Sequence, residues 1–73
     1  MPILDDATLT NWFTYHSPDV DQLPKYKAIR DAGLEFAKIL VENSPASPDQ
    51  TAAVRKVREA VMTANAAIAC GGV

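Results

Sequence analysis

Between residues 20 and 43 this sequence is apolar around about three quarters of a helical wheel, more than a chain of 73 residues can cover by itself. At about 100° per residue, Tyr26, Ile29, Ala32, Gly33, Phe36, Ala37 and Leu40 fall in one continuous stripe. Leu34 and Val41 widen it on one side, and Ala28 and Ile39 on the other. Lys27, Asp31, Glu35, Lys38 and Glu42 fill the polar remainder. A helix with so wide an apolar arc must be covered on more than one side.

The neighbouring segments are helical too. Asp19 and Gln22 stand at capping-box spacing before this helix, and Pro24 falls in its first turn. Pro45 ends it near Asn43. Ser47-Pro48-Asp49-Gln50 then reads as a helix start, with Ser47 as cap, Pro48 at the first position and Gln50 completing the box. A third helix over 48–70 is expected, with Val54, Val57, Ala60, Val61, Ala64 and Ile68 as its stripe and Gly71-Gly72 as its stop. The short connection makes the two long helices an antiparallel hairpin. Upstream, Asp5 or Asp6 can cap a short helix over about 5–13, where Leu9, Trp12 and Phe13 share one face. Pro18 separates this short helix from the first long one, leaving 14–18 as an ordered loop.

The expected fold is therefore all-α: one domain over 1–73, made of a short N-terminal helix (within 1–13) and a hairpin of helices 20–43 and 48–70. A disulfide within the chain is excluded, because Cys70 is the only cysteine. A structural zinc needs about four ligands, and the chain offers only Cys70 and His16 of the usual types. Homo-oligomerisation remains as the device that covers the arc.

A net charge of -2 argues against a protein that coats DNA. No membrane span is expected, and Met1-Pro2-Ile3-Leu4-Asp5-Asp6 does not start as a signal peptide does. With the lone cysteine, these features fit a cytoplasmic protein. Phosphate-loop and zinc-protease motifs are absent. His16 has no visible triad partner, and Asp5-Asp6 reads as helix-start charge. The expectation is a non-enzyme with no metal and no cofactor.

One cation stands out. Arg30 lies inside the apolar arc, between Ala37 and Val41, where a guanidinium is costly unless paired. Two readings stay open: an ion pair to a neighbouring subunit, or an anion-binding residue at a subunit interface. Arg58 and Asn65 are seven apart and share a face of the third helix, as either a register-fixing contact or a ligand site. Tyr15 and His16 fit a loop packed over the core, or a platform for a stacked base. Lys25 and Lys27 flank Tyr26 and read as solvated.

Three stretches resemble the anti-CBASS protein Two family, phage sponges for cyclic oligonucleotide immune messengers. They are Phe13-Thr14-Tyr15-His16-x-Pro18, Lys25-Tyr26-x-Ala28-Ile29-Arg30-Asp31, and Glu59-Ala60-Val61-Met62-x-Ala64-Asn65-Ala66-x-Ile68-Ala69. Their order and spacing match from about residue 13 to 69. The resemblance implies a compact homohexamer in the cytoplasm of an infected bacterial host. It would bind cyclic dinucleotides such as 3',3'-cGAMP between subunits and not cleave them. It implies base stacking for Tyr15 and phosphate contact for Arg30, with His16, Lys25 and Tyr26 completing the ligand-binding set. A second site, for cyclic trinucleotides, would draw on Arg58, Thr63 and Asn65. The chain departs from the family pattern at Ala32, where a hydroxyl is usual, at Cys70, where a basic residue is usual, and at Thr63, often Trp. Its N-terminal extension is also longer. The alternative from another class is a helical oligomerisation or protein-interaction module without a nucleotide ligand. A hydrolase of cyclic nucleotides would require turnover that no motif here supports.

Overall fold

The structure is a computed structural model that describes residues 4–73; Met1, Pro2 and Ile3, the beginning of the extension, lie outside the described residues. Three helices and no strand are present among the described residues: α1 (Asp6–Phe13), α2 (Leu23–Asn43) and α3 (Pro48–Ala69). The chain is all-α.

Each helix end has a local cause. At α1, the Asp5 carboxylate accepts from the Thr8 N–H at 2.8 Å, which satisfies one of the orphan donors of the first turn. That bond to the Thr8 backbone, followed by the Thr8 hydroxyl, holds the Asp5 carboxyl below its ordinary value. At α3, Ser47 Oγ accepts from the Gln50 N–H at 3.2 Å. The expected second half of that box does not form. The Gln50 amide turns instead to the end of α2, donating to the Ser44 carbonyl at 2.9 Å and the Val41 carbonyl at 3.2 Å. A donor among orphan carbonyls satisfies more groups there than a bond back to Ser47 would. Gln50 is thus a clasp across the hairpin turn.

Asp19 and Gln22 do form their box, with Gln22 N–H to Asp19 Oδ1 at 2.9 Å and Asp19 N–H to Gln22 Oε1 at 3.1 Å. Yet α2 begins at Leu23, three residues later than the sequence suggests. Pro24 is the reason: it has no N–H for the Val20 carbonyl, so residues 20–22 stay a separate turn. The other end of the hairpin closes on Gly71 and Gly72, with φ of 69° and 81°. The Gly72 N–H reaches the Ala67 carbonyl at 3.0 Å and the Gly71 N–H the Ile68 carbonyl at 3.2 Å, the paired bonds of a Schellman cap.

The two long helices pack along Tyr26, Ile29, Gly33, Ala37 and Leu40 on α2, against Val54, Val57, Val61, Ala64 and Ile68 on α3. This seam follows the middle of the sequence stripe, where Ile29, Leu40 and Gly33 lie on the wheel. Gly33 lets the helices come close: a Cβ there would meet Val61 Cγ2 at 2.5 Å. Ala32 and Phe36, at one edge of the stripe, fall to the flank.

The result has no closed interior: no side chain among the described residues is fully buried. The accessible surface is 5925 Å², against about 4400 Å² expected for a compact monomer of this mass. The radius of gyration is 15.3 Å, against about 11 Å for a compact domain of this length. Two apolar grooves flank the seam. One holds about 570 Å³ and is lined by Ile29, Ala32, Phe36, Ala53 and Ala60. The other, about 210 Å³, is lined by Leu34, Ala37, Val54, Arg58 and Met62. Phe36 is 54 %, Leu34 57 % and Met62 59 % exposed. No helix among the described residues is long and apolar enough to cross a membrane.

Candidate functional site

Tyr15, His16, Lys25 and Tyr26 lie at the open end of the hairpin, opposite the 44–47 turn, and Arg30 and Arg58 lie further along the long helices. Tyr15 lies on the connector between α1 and α2, and its ring is 83 % exposed. No hydrogen bond holds its hydroxyl among the described residues. Val20, on the same connector, and Phe13, the last residue of α1, are as exposed. Of the helix-one face, Leu9 and Trp12 are more than half covered, Trp12 beside Thr63 and Ala66 of α3, and Phe13 is bare. Bare aromatic rings at a short connector and its edge offer a π-face to a flat ligand or an apolar edge to a partner.

His16 is half-buried beside Tyr15. Its Nε2 lies 2.7 Å from the Asn11 backbone oxygen. A carbonyl can only accept, so Nε2 carries the proton. The imidazole thus satisfies a last-turn carbonyl of α1, which leaves Nδ1 as the ring's free nitrogen.

Arg30 is the eighth residue of α2, about 10 Å along the axis from its start. It is exposed and makes no hydrogen bond or ion pair among the described residues. The one ion pair among those residues joins Lys27 to Asp31, 2.6 Å apart on the solvated face. That bond, with smaller help from Arg30, keeps the Asp31 carboxyl below its ordinary value. Lys25 is exposed at the start of α2, while Tyr26 is half-buried in the seam one residue on. Lys25, Arg30 and Tyr15 can therefore meet a ligand directly, whereas only an edge of Tyr26 is open to one.

The three residues of the second set do not come together. Arg58 lines the groove beside Leu34 and Met62. Asn65 is on the same side of α3, and its Oδ1 is buried without a hydrogen-bond donor among the described residues. Thr63 points elsewhere, into a hollow with Trp12, Ala66 and Cys70. No group of three or more His, Cys, Asp or Glu is placed to hold a metal among the described residues.

Sequence reasoning missed Asn11 altogether, and read Trp12 only as part of a helix face and Gln22 only as half of a capping box. Asn11 Nδ2 donates to the Cys70 carbonyl at 3.2 Å, Trp12 Nε1 to the Val73 oxygen at 3.1 Å, and Gln22 Nε2 to the Ile68 carbonyl at 3.4 Å. All three satisfy oxygens at or just beyond the end of α3. Their partners are 46 to 61 positions away, so no local pattern marks them.

These features define a class: a small helical hairpin with open apolar flanks that presents a bare aromatic at one end and an unpaired guanidinium further along a long helix. The chain belongs to the Acb2/Tad1 hairpin-domain family, whose model matches residues 5–69. Acb2 is the anti-CBASS protein Two family, so the family that the Tyr15-His16, Arg30 and Ala64-Asn65-Ala66 stretches resemble is the one found. Neither a curated protein nor a solved structure matches the chain.

Proposed function

We propose that this protein is a phage sponge of the anti-CBASS kind, which binds cyclic dinucleotides such as 3',3'-cGAMP and withholds them from the host's immune effector without cleaving them. The observation that carries this reading is the family match over residues 5–69. The site's chemistry is in accord with it. Tyr15 offers a stacking face, and stacking on a base is worth about 1–3 kcal/mol. Arg30 offers a planar fork to phosphate, and a hydrogen bond to a charged group contributes about 1.5–3 kcal/mol. Lys25 adds a second cation, and His16 and Tyr26 complete the proposed ligand-binding set. The action is in the cytoplasm of the infected host.

The working form is a homo-oligomer, a hexamer by family. The open grooves, the absence of a closed interior and the exposed Phe36, Leu34 and Met62 support assembly. Two related subunits would offer the same pair of groups to both halves of a pseudo-symmetric ligand. A cyclic trinucleotide site would draw on Arg58 and Asn65, on one face of α3, with Thr63 supplied by another copy.

The test is native mass spectrometry and calorimetry of the purified protein with a mixed pool of cyclic nucleotides. The expected result is a stoichiometric complex with a cyclic dinucleotide that is recovered intact, weakened at least tenfold by Arg30→Ala and by Tyr15→Ala. Linear products on chromatography would mean turnover and overturn sequestration. No complex at micromolar concentrations, with an oligomer that Arg30→Ala takes apart, would identify the protein as an assembly module in which Arg30 is an interface ion pair.

A further inference from the structure

α1 has eight residues, far fewer than an isolated helix needs to persist in water. Its packing is partial: the extensive helix contact among the described residues is between α2 and α3, Phe13 is bare, and Leu9 and Trp12 are covered only in part. Named polar bonds add to that packing. The Asn11 amide donates to the Cys70 carbonyl and the Trp12 indole to the Val73 oxygen. The first acceptor, the Cys70 carbonyl, lies within the cap that Gly71 and Gly72 form over the last turn of α3.

Asn11 also acts through its main chain. Its carbonyl accepts from His16 Nε2 at 2.7 Å and lies 3.8 Å from Cys70 Sγ. One residue therefore ties the end of α3, through its side chain, to the loop, through its backbone. Tyr15 has nothing of its own to hold it: its ring is 83 % exposed and its hydroxyl is unbonded among the described residues. Its place is fixed by its neighbour His16, and His16 in turn is fixed by Asn11.

We infer that Asn11 is a positioning residue for the Tyr15 face: α1 is an anchor that pins the Tyr15-His16 loop to the capped end of α3. Trp12 is the second bolt of that anchor. The benefit is preorganisation, since a ring already held in place loses less freedom when a ligand stacks on it. This rests on the reading of Tyr15 as a stacking residue only for its effect on affinity; the effect on loop order stands apart from it.

The test uses the full chain with Asn11→Ala, and with Asn11→Asp, which keeps the shape and removes the donor. Trp12→Phe removes the indole N–H and keeps an aromatic ring. Hydrogen exchange at residues 9–13 should speed up about fivefold in each variant, the net worth of one neutral hydrogen bond. Exchange across the Gly33–Val61 seam should not change. Backbone order parameters at Tyr15 and His16 should fall from rigid values toward about 0.6. Affinity for 3',3'-cGAMP should drop by a similar factor, and Tyr15→Ala should cost less in the Asn11→Ala background than in wild type.

Unchanged exchange and order in all three variants overturn the anchor. So does an identical cost of Tyr15→Ala in both backgrounds, because the ring's placement then does not depend on Asn11. If wild type binds no cyclic dinucleotide, the proposed function fails, and the order parameters alone decide the anchor.

Discussion

Replacing Gly33 with alanine sets two forces of known size against each other. Within a helix, Ala is favoured over Gly by about 0.8–1 kcal/mol, so propensity alone makes Gly33→Ala stabilising. The packing acts the other way. The new Cβ would sit 2.5 Å from Val61 Cγ2, with Val57 Cγ1 and Val61 Cβ at 3.9 Å. Carbon atoms pack at about 3.5–4 Å, so roughly 1 Å of separation or more has to be found. Val61 cannot swing aside easily, because a β-branched side chain in a helix has one strongly preferred rotamer. The helices must part along the seam, and overpacking of this kind costs about 1–3 kcal/mol. The expected balance runs from about zero to a net loss of about 2 kcal/mol. Val61→Ala removes the clashing methyl, so Gly33→Ala should be neutral or stabilising in that background. Urea denaturation followed by helical circular dichroism, at one fixed protein concentration, measures all four chains of the cycle. A gain of about 1 kcal/mol for Gly33→Ala in the wild-type background would refute the close approach and leave propensity as the whole effect.

Other parts of the fold give sharper single outcomes. Gln50→Glu is nearly isosteric but puts a carboxylate against the Ser44 and Val41 carbonyls, so it should cost about 1–3 kcal/mol in the same denaturation assay, with most of the loss avoided in Gln50→Lys. Asp5 has a lowered pKa in the folded chain, so its cap contributes above the unfolded value near 3.8 and is lost as pH falls through the lower folded value. Titration from about pH 5 downward should therefore release α1, read by the emission of Trp12, the sole tryptophan; Asp5→Asn should flatten that response. Phe36→Glu places a charge on the wider groove and should shift the proposed oligomer toward the 7.9 kDa protomer in sedimentation velocity, with helicity falling as the cover of a second copy is lost.

Much of this protein is legible in its sequence because much of it is local. Ser47-Pro48 starts α3, Gly71-Gly72 stops it, and Asp5 caps α1, each through bonds to residues no more than a few positions away. The width of the apolar arc on α2 is likewise a property of spacing, and spacing alone marks Arg30 as a cation among apolar neighbours. Three stretches suffice to place the chain in its family.

Tertiary structure decided the features that depend on distant partners. The wheel marks the whole arc as apolar, but only the part of it around Gly33 meets α3, because the helices come close where there is no side chain to prevent it. Capping-box spacing sends Gln50 back to Ser47, but the carbonyls of the opposite helix end offer its amide more partners. Arg58, Thr63 and Asn65 look like one cluster in the sequence, yet Thr63 turns to the Trp12 hollow. The role of Asn11 is the clearest case. Nothing within several residues of it needs an amide, and only when the chain folds back 59 positions does the Cys70 carbonyl arrive to receive its hydrogen. Spacing along the chain fixed the helices and their apolar faces; the acceptors left open at their ends decided how the short helix and the Tyr15 loop are held.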